Sequence, residues 1–551
     1  MKRDRGKIRS VLSCAGLLAA VTGGCNALIG LEVGELDPSQ AGAGAASSAA
    51  SSGGDAGEGG TGDGGAGGGG SGPGGAGPGG AGPGGGDAGS GAGGPFCDAP
   101  GGEILTAPHS GWGETVGFHI GDVAALEGTA TAVVNEVAAD SSETLTVTRW
   151  SPAGVRDASY GLSAAGAWGT HLAVGPGFVY VAGDATKALD LPKSQGLATC
   201  RVGAPVLQAT YGPSFVVALD PAGRCSWAWG VDSRGGATTR GLAATSEVVL
   251  TAVEVVTEGT TFGRCAPEDG IPPESVLLAA LRPMDGACQW SRVLGARGPV
   301  TPKVVLADAR AGSRLVTVVG DYDTLNGPVS FGGETRFESM DRDIFVARYV
   351  SNDGTPREVT TLNFEGDQLV ATHGAALLPG GDVVIVGTYR GRLDWADGCS
   401  ELPDAAETDN LFVARISDDG VAWSRGFGDP TASQSATGVA VDSVGSIYVT
   451  GQFEGELVLD NTGSFTTVPG IPAGFLIKMD SRGNILSGSK FGGDDVDPVA
   501  LWAVAAGRVS RDPVYVAGTV TGTLDLGFPT SLGSDADQNS HAFIAGFTGI
   551  P

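Results

Sequence analysis

Apolar and polar residues alternate with a period of two along most of the chain, and the runs are short. They are rich in Val, Ile, Phe, Tyr and Thr and end in Gly or Asp, which predicts strands joined by tight turns rather than helices. One such run recurs seven times: LTVTRWSPAG from Leu145, FVVALDPAG from Phe215, VLLAALRPMDG from Val276, IFVARYVSNDG from Ile344, LFVARISDDG from Leu411, FLIKMDSRG from Phe475 and AFIAGFTGIP from Ala542. The copies start roughly 65 residues apart, a period that marks a repeat architecture. A second run also occurs seven times, from Ala130, Phe178, Val248, Arg314, Asp382, Ser446 and Pro513, as in SIYVTGQ and PVYVAGT. A third precedes it, as in HLAVGPG from His171 and GVAVDSVG from Gly438, and a fourth follows the polar turn, as in CSWAWG from Cys225, CQWSRVLG from Cys288 and VAWSRGFG from Val421.

Four strands in each of seven units predict an all-β chain folded as a seven-bladed β-propeller of four-stranded blades over residues 97–551. The last unit ends after its third strand. GEILTAPHSGWG from Gly102 aligns with GNILSGSKFGG from Gly483, so an N-terminal strand is expected to complete the seventh blade and close the ring. The pattern WSxxFG, then VAVDxxGxIYVTGxFxG, then FLxKxDxxGN resembles the bacterial β-propeller repeat family known as SBBP. The resemblance covers nearly all of residues 97–551. It is closest from Trp423 to Gly483, and the first, third and fourth copies have drifted. It implies a secreted or surface protein and assigns no chemistry.

The N-terminal region has a different character. Lys2, Arg3, Arg5, Lys7 and Arg9 precede an uncharged apolar run from Val11 to Gly24, too short to span a bilayer, and the pattern reads as a signal peptide over residues 1–24. Thr22, Gly23 and Gly24 before Cys25 resemble the cleavage site of a bacterial lipoprotein, which implies a lipid on Cys25. Asn26 next to it implies sorting to the outer membrane of a Gram-negative cell. After an anchored segment at 25–40, residues 41–95 are only Gly, Ala, Ser, Pro, Thr, Asp and Glu. Nothing there can pack, so a disordered linker is expected, spanning ~40 Å as a random coil. Its glycine accounts for much of the 96 in the chain.

With 33 Lys and Arg against 61 Asp and Glu, the net charge is -28, which argues against nucleic acid as a partner. Six of the eight cysteines lie beyond Cys14 and Cys25, an even number suited to disulfides in an exported chain. Cys225 and Cys288 share a repeat position, as do Cys200 and Cys265. The expected pairs are Cys200 with Cys225 and Cys265 with Cys288, each closing a loop worth about 3 kcal/mol on the chain-entropy model, with Cys97 and Cys399 left over as a third pair. No cysteine or histidine spacing suits zinc.

Candidate chemistry is sparse. No nucleophile elbow, HExxH or phosphate loop is present. His119, His171 and His373 fall near the starts of innermost strands, with Arg240 at a nearly equivalent place, so an axial site for a metal or an anionic ligand is one reading and independent surface histidines the other. The segments GDYDTLNG from Gly320 and GGDDVDP from Gly492 could bind calcium or simply form turns; no other cofactor is expected. Trp227, Trp290 and Trp423 are expected to pack between blades. The long loops Leu191 to Ser214, Phe262 to Ser275 and Ala396 to Asn410 are the expected ligand face. These features point to a non-enzymatic lipid-anchored scaffold for a glycan, a protein or an envelope component. A polysaccharide lyase or hydrolase with an axial site, and a purely structural envelope protein, are the alternatives.

Overall fold

A computed structural model describes residues 110–550, apart from several loops between strands, among them 192–199, 203–212, 257–264 and 392–404. Cys25, Cys97, Cys399, the signal segment and the linker lie outside the described residues. The described chain is all-β, with no α-helix among the described residues.

Four-stranded antiparallel sheets repeat along it, each pairing its strands in chain order except the last, with small two-stranded hairpins inserted in three of them. The first unit runs through His119–Leu126, Thr129–Val137, Glu143–Trp150 and Leu162–Ala165. The second runs through Ala167–Gly175, Phe178–Ala185, Ser214–Leu219 and Cys225–Val231. The third, fourth, fifth and sixth units begin with the strands Ala237–Ala244, Val300–Ala307, Gln368–Leu377 and Gln434–Val441. The fifth and sixth are joined by one parallel bridge, His373 to Gly438. In the last sheet, Val499–Ala506, Val514–Thr521 and Ser540–Thr548 are followed by Ser110–Thr115. The expected N-terminal strand therefore exists, in a different register. The alignment with Gly483 puts His109 opposite Phe543, whereas Thr115 pairs there. Trp112, not an aliphatic residue near Ile104, marks the strand, because it stands opposite Gly546 as Trp423 stands opposite Arg415.

The polar turn between third and fourth strands explains the DxxG motif. Asp480 Oδ1 accepts the backbone N–H groups of Arg482 and Asn484 at 2.8 and 2.9 Å, and Gly483 turns the chain at a φ of 83°. Asp220 does the same for Ala222 and Arg224. The aspartate satisfies the turn's backbone donors, and the glycine takes the left-handed conformation that side chains resist.

The core is divided among the junctions. One apolar cluster mixes Leu145 and Val147 of the first unit with Leu172 and Phe215 of the second, and five more join successive pairs in the same way. A seventh joins Tyr515, Ala517 and Ile544 of the last unit to Ile120, Val134 and Trp150 of the first. Tryptophan fastens four of these junctions, as expected for Trp227, Trp290 and Trp423. Each indole lies against the turn glycine of the following unit and donates its N–H to a carbonyl of that turn. Trp227 bonds Pro283 O at 2.7 Å beside Gly286, Trp290 bonds Ser351 O at 2.7 Å beside Gly354, Trp423 bonds Ser481 O at 3.2 Å beside Gly483, and Trp112 bonds Pro152 O at 3.1 Å beside Gly154. Between the fourth and fifth units Glu358 stands in the tryptophan's place. There the buried Arg348 joins Glu358 at 3.1 Å and Asp418 in the next turn at 3.3 Å.

Candidate axial site

The first strands of the units touch one another in sequence, and the first strand of the last unit also touches that of the first. Each carries a break in its register at the same place: after Ile120, Gly169, Thr239, Pro302, Val370, Ala436 and Leu501. Such bulges re-aim side chains. They single out Gly121, Thr170, Arg240, Lys303, Thr437 and Trp502, and a longer stretch around His373.

Polar side chains on the second strands bind the next unit's first strand. Asn135 pairs with both backbone groups of Gly169, accepting from its N–H and donating to its carbonyl, each at 2.8 Å. Asp184 accepts from Thr239 N at 3.1 Å and Ser214 Oγ at 2.6 Å; burial pushes its carboxyl up to about 6. Asp321 accepts from Val370 N at 2.8 Å and faces Lys303 Nζ at 3.4 Å, with burial again raising its pKa.

The sequence grouped His119, His171, Arg240 and His373 as one site, and the structure separates them into levels. His373 Nδ1 lies 3.7 Å from Asp122 Oδ1, so residues of the fifth and first units meet. Asp122 is fully buried and accepts from Val123 N at 2.7 Å and Leu172 N at 2.8 Å. His171, also fully buried, sets Nε2 3.3 Å from Thr239 O. Arg240 sits nearer the strand starts and is paired with Glu254 at 2.6 Å. His119 is nearer still, at the register position of Trp168, and its ring lies 5.6 Å from that indole. Its Nδ1 is buried without a hydrogen-bond partner, and burial holds the imidazole down at about 4. Asp122 was missed by the sequence reading. The signal was there, since HIGD puts it one residue past its bulge, where HLAV puts His171.

His119 gives a pH prediction. Its folded pKa lies below the ordinary 6.5, so between about 6.5 and 4 the unfolded chain binds more protons and stability falls as pH falls. His119→Gln should flatten that part of the melting-temperature profile; an unchanged slope would contradict the assignment.

The two expected disulfides are present, Cys200 to Cys225 and Cys265 to Cys288. Each ties the connection between second and third strands to the outer strand of its unit. The expected ligand loops are also such connections, and most of their residues lie outside those described. Of the calcium candidates, Asp321 points at Lys303 rather than into a loop, and Asp497 accepts from Thr523 N at 3.1 Å. Among the described residues no group of three or more His, Cys, Asp or Glu is placed to hold a metal ion.

Residues 422–452 match the family model described as SBBP, a beta-propeller repeat. No curated protein sequence matches the chain. Among solved structures, the quinohemoprotein alcohol dehydrogenase of Comamonas testosteroni is similar at 11% identity and a TM-score of 0.37, over 79% of this chain and 76% of that one. The beta-propeller domain of the Trilobed protease from Pyrococcus furiosus is similar at 10% identity and a TM-score of 0.36, over 77% and 98%. BamB from Moraxella catarrhalis is similar at 9% identity and a TM-score of 0.31, over 80% and 100%.

Proposed function

We propose that the four-stranded units are seven blades of a propeller closed by Ser110–Thr115, and that the propeller is a non-enzymatic binding scaffold. In this reading a lipid on Cys25 and the glycine-rich segment hold it at the outer membrane or surface of a Gram-negative cell. The apolar cluster between the last and first units supports closure.

The observation that carries the scaffold reading is how the buried polar groups near the axis are used. Asp122, Asn135, Asp184 and Asp321 each accept a backbone N–H from the following unit's first strand. Groups so engaged rigidify a framework, and a rigid framework presents its outer loops and axial mouth at low ordering cost to a ligand. The His373–Asp122 contact favours the enzymatic alternative, since a carboxylate beside an imidazole is a common way to orient a base.

A thermal-shift screen of the full-length protein against envelope polysaccharides, calcium and chelator tests the reading. A true ligand at 100 times its Kd adds ~2.7 kcal/mol of stability. A shift with no product formed is the expected outcome, and turnover of a polysaccharide would overturn it.

A further inference from the structure

One residue before the last paired position ahead of the first six breaks, the first strands present a level of half-buried side chains: His119, Trp168, Thr238, Thr301, Leu369 and Ser435. Two of them are aromatic and in ring contact, and Phe118, 55% exposed, flanks them. Three are hydroxyls. At the neighbouring level stand the half-buried Arg240 and Lys303, and their charges are already met by Glu254 and Asp321. Both cations of this level are therefore already paired. The fixed donors and acceptors suit a neutral polyol, and the aromatic pair suits the apolar face of a ring.

We propose that this end of the axis is a sugar-binding mouth, in which one neutral pyranose ring stacks against Trp168 beside His119 and hydrogen-bonds to the Arg240–Glu254 pair. The proposal rests on the scaffold reading and names its ligand class. It replaces the metal or anionic ligand expected from the histidines and Arg240.

The test is calorimetric titration of the full-length protein in detergent with gluco-, galacto- and manno-configured neutral oligosaccharides and with their uronic-acid counterparts. At least one neutral series should saturate, with its uronic counterpart weaker by about tenfold or more, since one lost good contact of ~1.4 kcal/mol has that effect. Trp168→Ala should weaken binding by about tenfold or more, and Trp168→Phe, which keeps a ring, should restore most of it with unchanged melting. Absence of saturable binding by any neutral series would overturn the proposal. So would a Trp168→Phe variant that folds and binds no better than Trp168→Ala, or uronic oligomers that bind as tightly and lose binding with Lys303→Met. Capture of an envelope protein without any sugar binding would sink the mouth and leave the scaffold. Release of shortened oligosaccharides would leave the mouth and sink the scaffold.

Discussion

Trp290→Ala should cost about 3 to 5 kcal/mol of stability, the range for removing a buried aromatic side chain from a core. The indole is 8% exposed and belongs to the cluster between the third and fourth units. It lies so close to Gly354 that a methyl group there would overlap it, and it donates its N–H to Ser351 O at 2.7 Å. Alanine leaves both a cavity and an unpaired carbonyl. Trp290→Phe keeps most of the packing and loses the hydrogen bond, so it should recover more than half of the loss. Urea denaturation of the two variants checks this; a Trp290→Ala loss below about 1 kcal/mol, the size of an ordinary surface change, would mean the ring is not held there.

Gly387→Ala should be comparably damaging, by about 3 kcal/mol or more, through overpacking rather than a cavity. A Cβ on Gly387 would fall on the carbonyl oxygen of Leu369 in the neighbouring first strand, and the Phe412 ring closes the other side at 2.9 Å. Backbone cannot rotate out of the way as a side chain can. The same crowding recurs at Gly183, Gly320, Gly451 and Gly518, which is why the second strand reads VxG in so many copies. A Gly387→Ala variant as stable as the parent would contradict the close approach of these strands.

These two positions show what the sequence makes legible. Strand number, turn chemistry, the inter-unit tryptophans and both described disulfides follow from repeat position, because each unit solves the same packing problem with the same residues. What was harder to read depends on breaks in that regularity. His119 lies two residues before its bulge and His171 one residue after, so grouping them by nearness to the strand start mixes two levels and hides the equivalence of Asp122 with His171. The N-terminal strand escaped correct registration because aliphatic similarity around Ile104 outweighed a single tryptophan, Trp112, whose strand partner Gly546 lies at the other end of the chain. The junction of the fourth and fifth units was illegible for a related reason. Arg348, Glu358 and Asp418 replace an apolar contact with an ionic one, and only proximity reveals the partners.

Closure of the ring by an N-terminal strand is the claim on which the axial mouth depends, and one crosslink tests it. Ser110 and Thr548 are opposite one another, with their hydroxyl oxygens 2.6 Å apart. The double variant Ser110→Cys, Thr548→Cys should form a disulfide between these two cysteines on air oxidation, detected by peptide mapping, and the oxidised protein should melt well above the reduced one because a very long loop is closed. Failure of these cysteines to pair in the folded protein, or an oxidised form no more stable than the reduced, would contradict the closed ring.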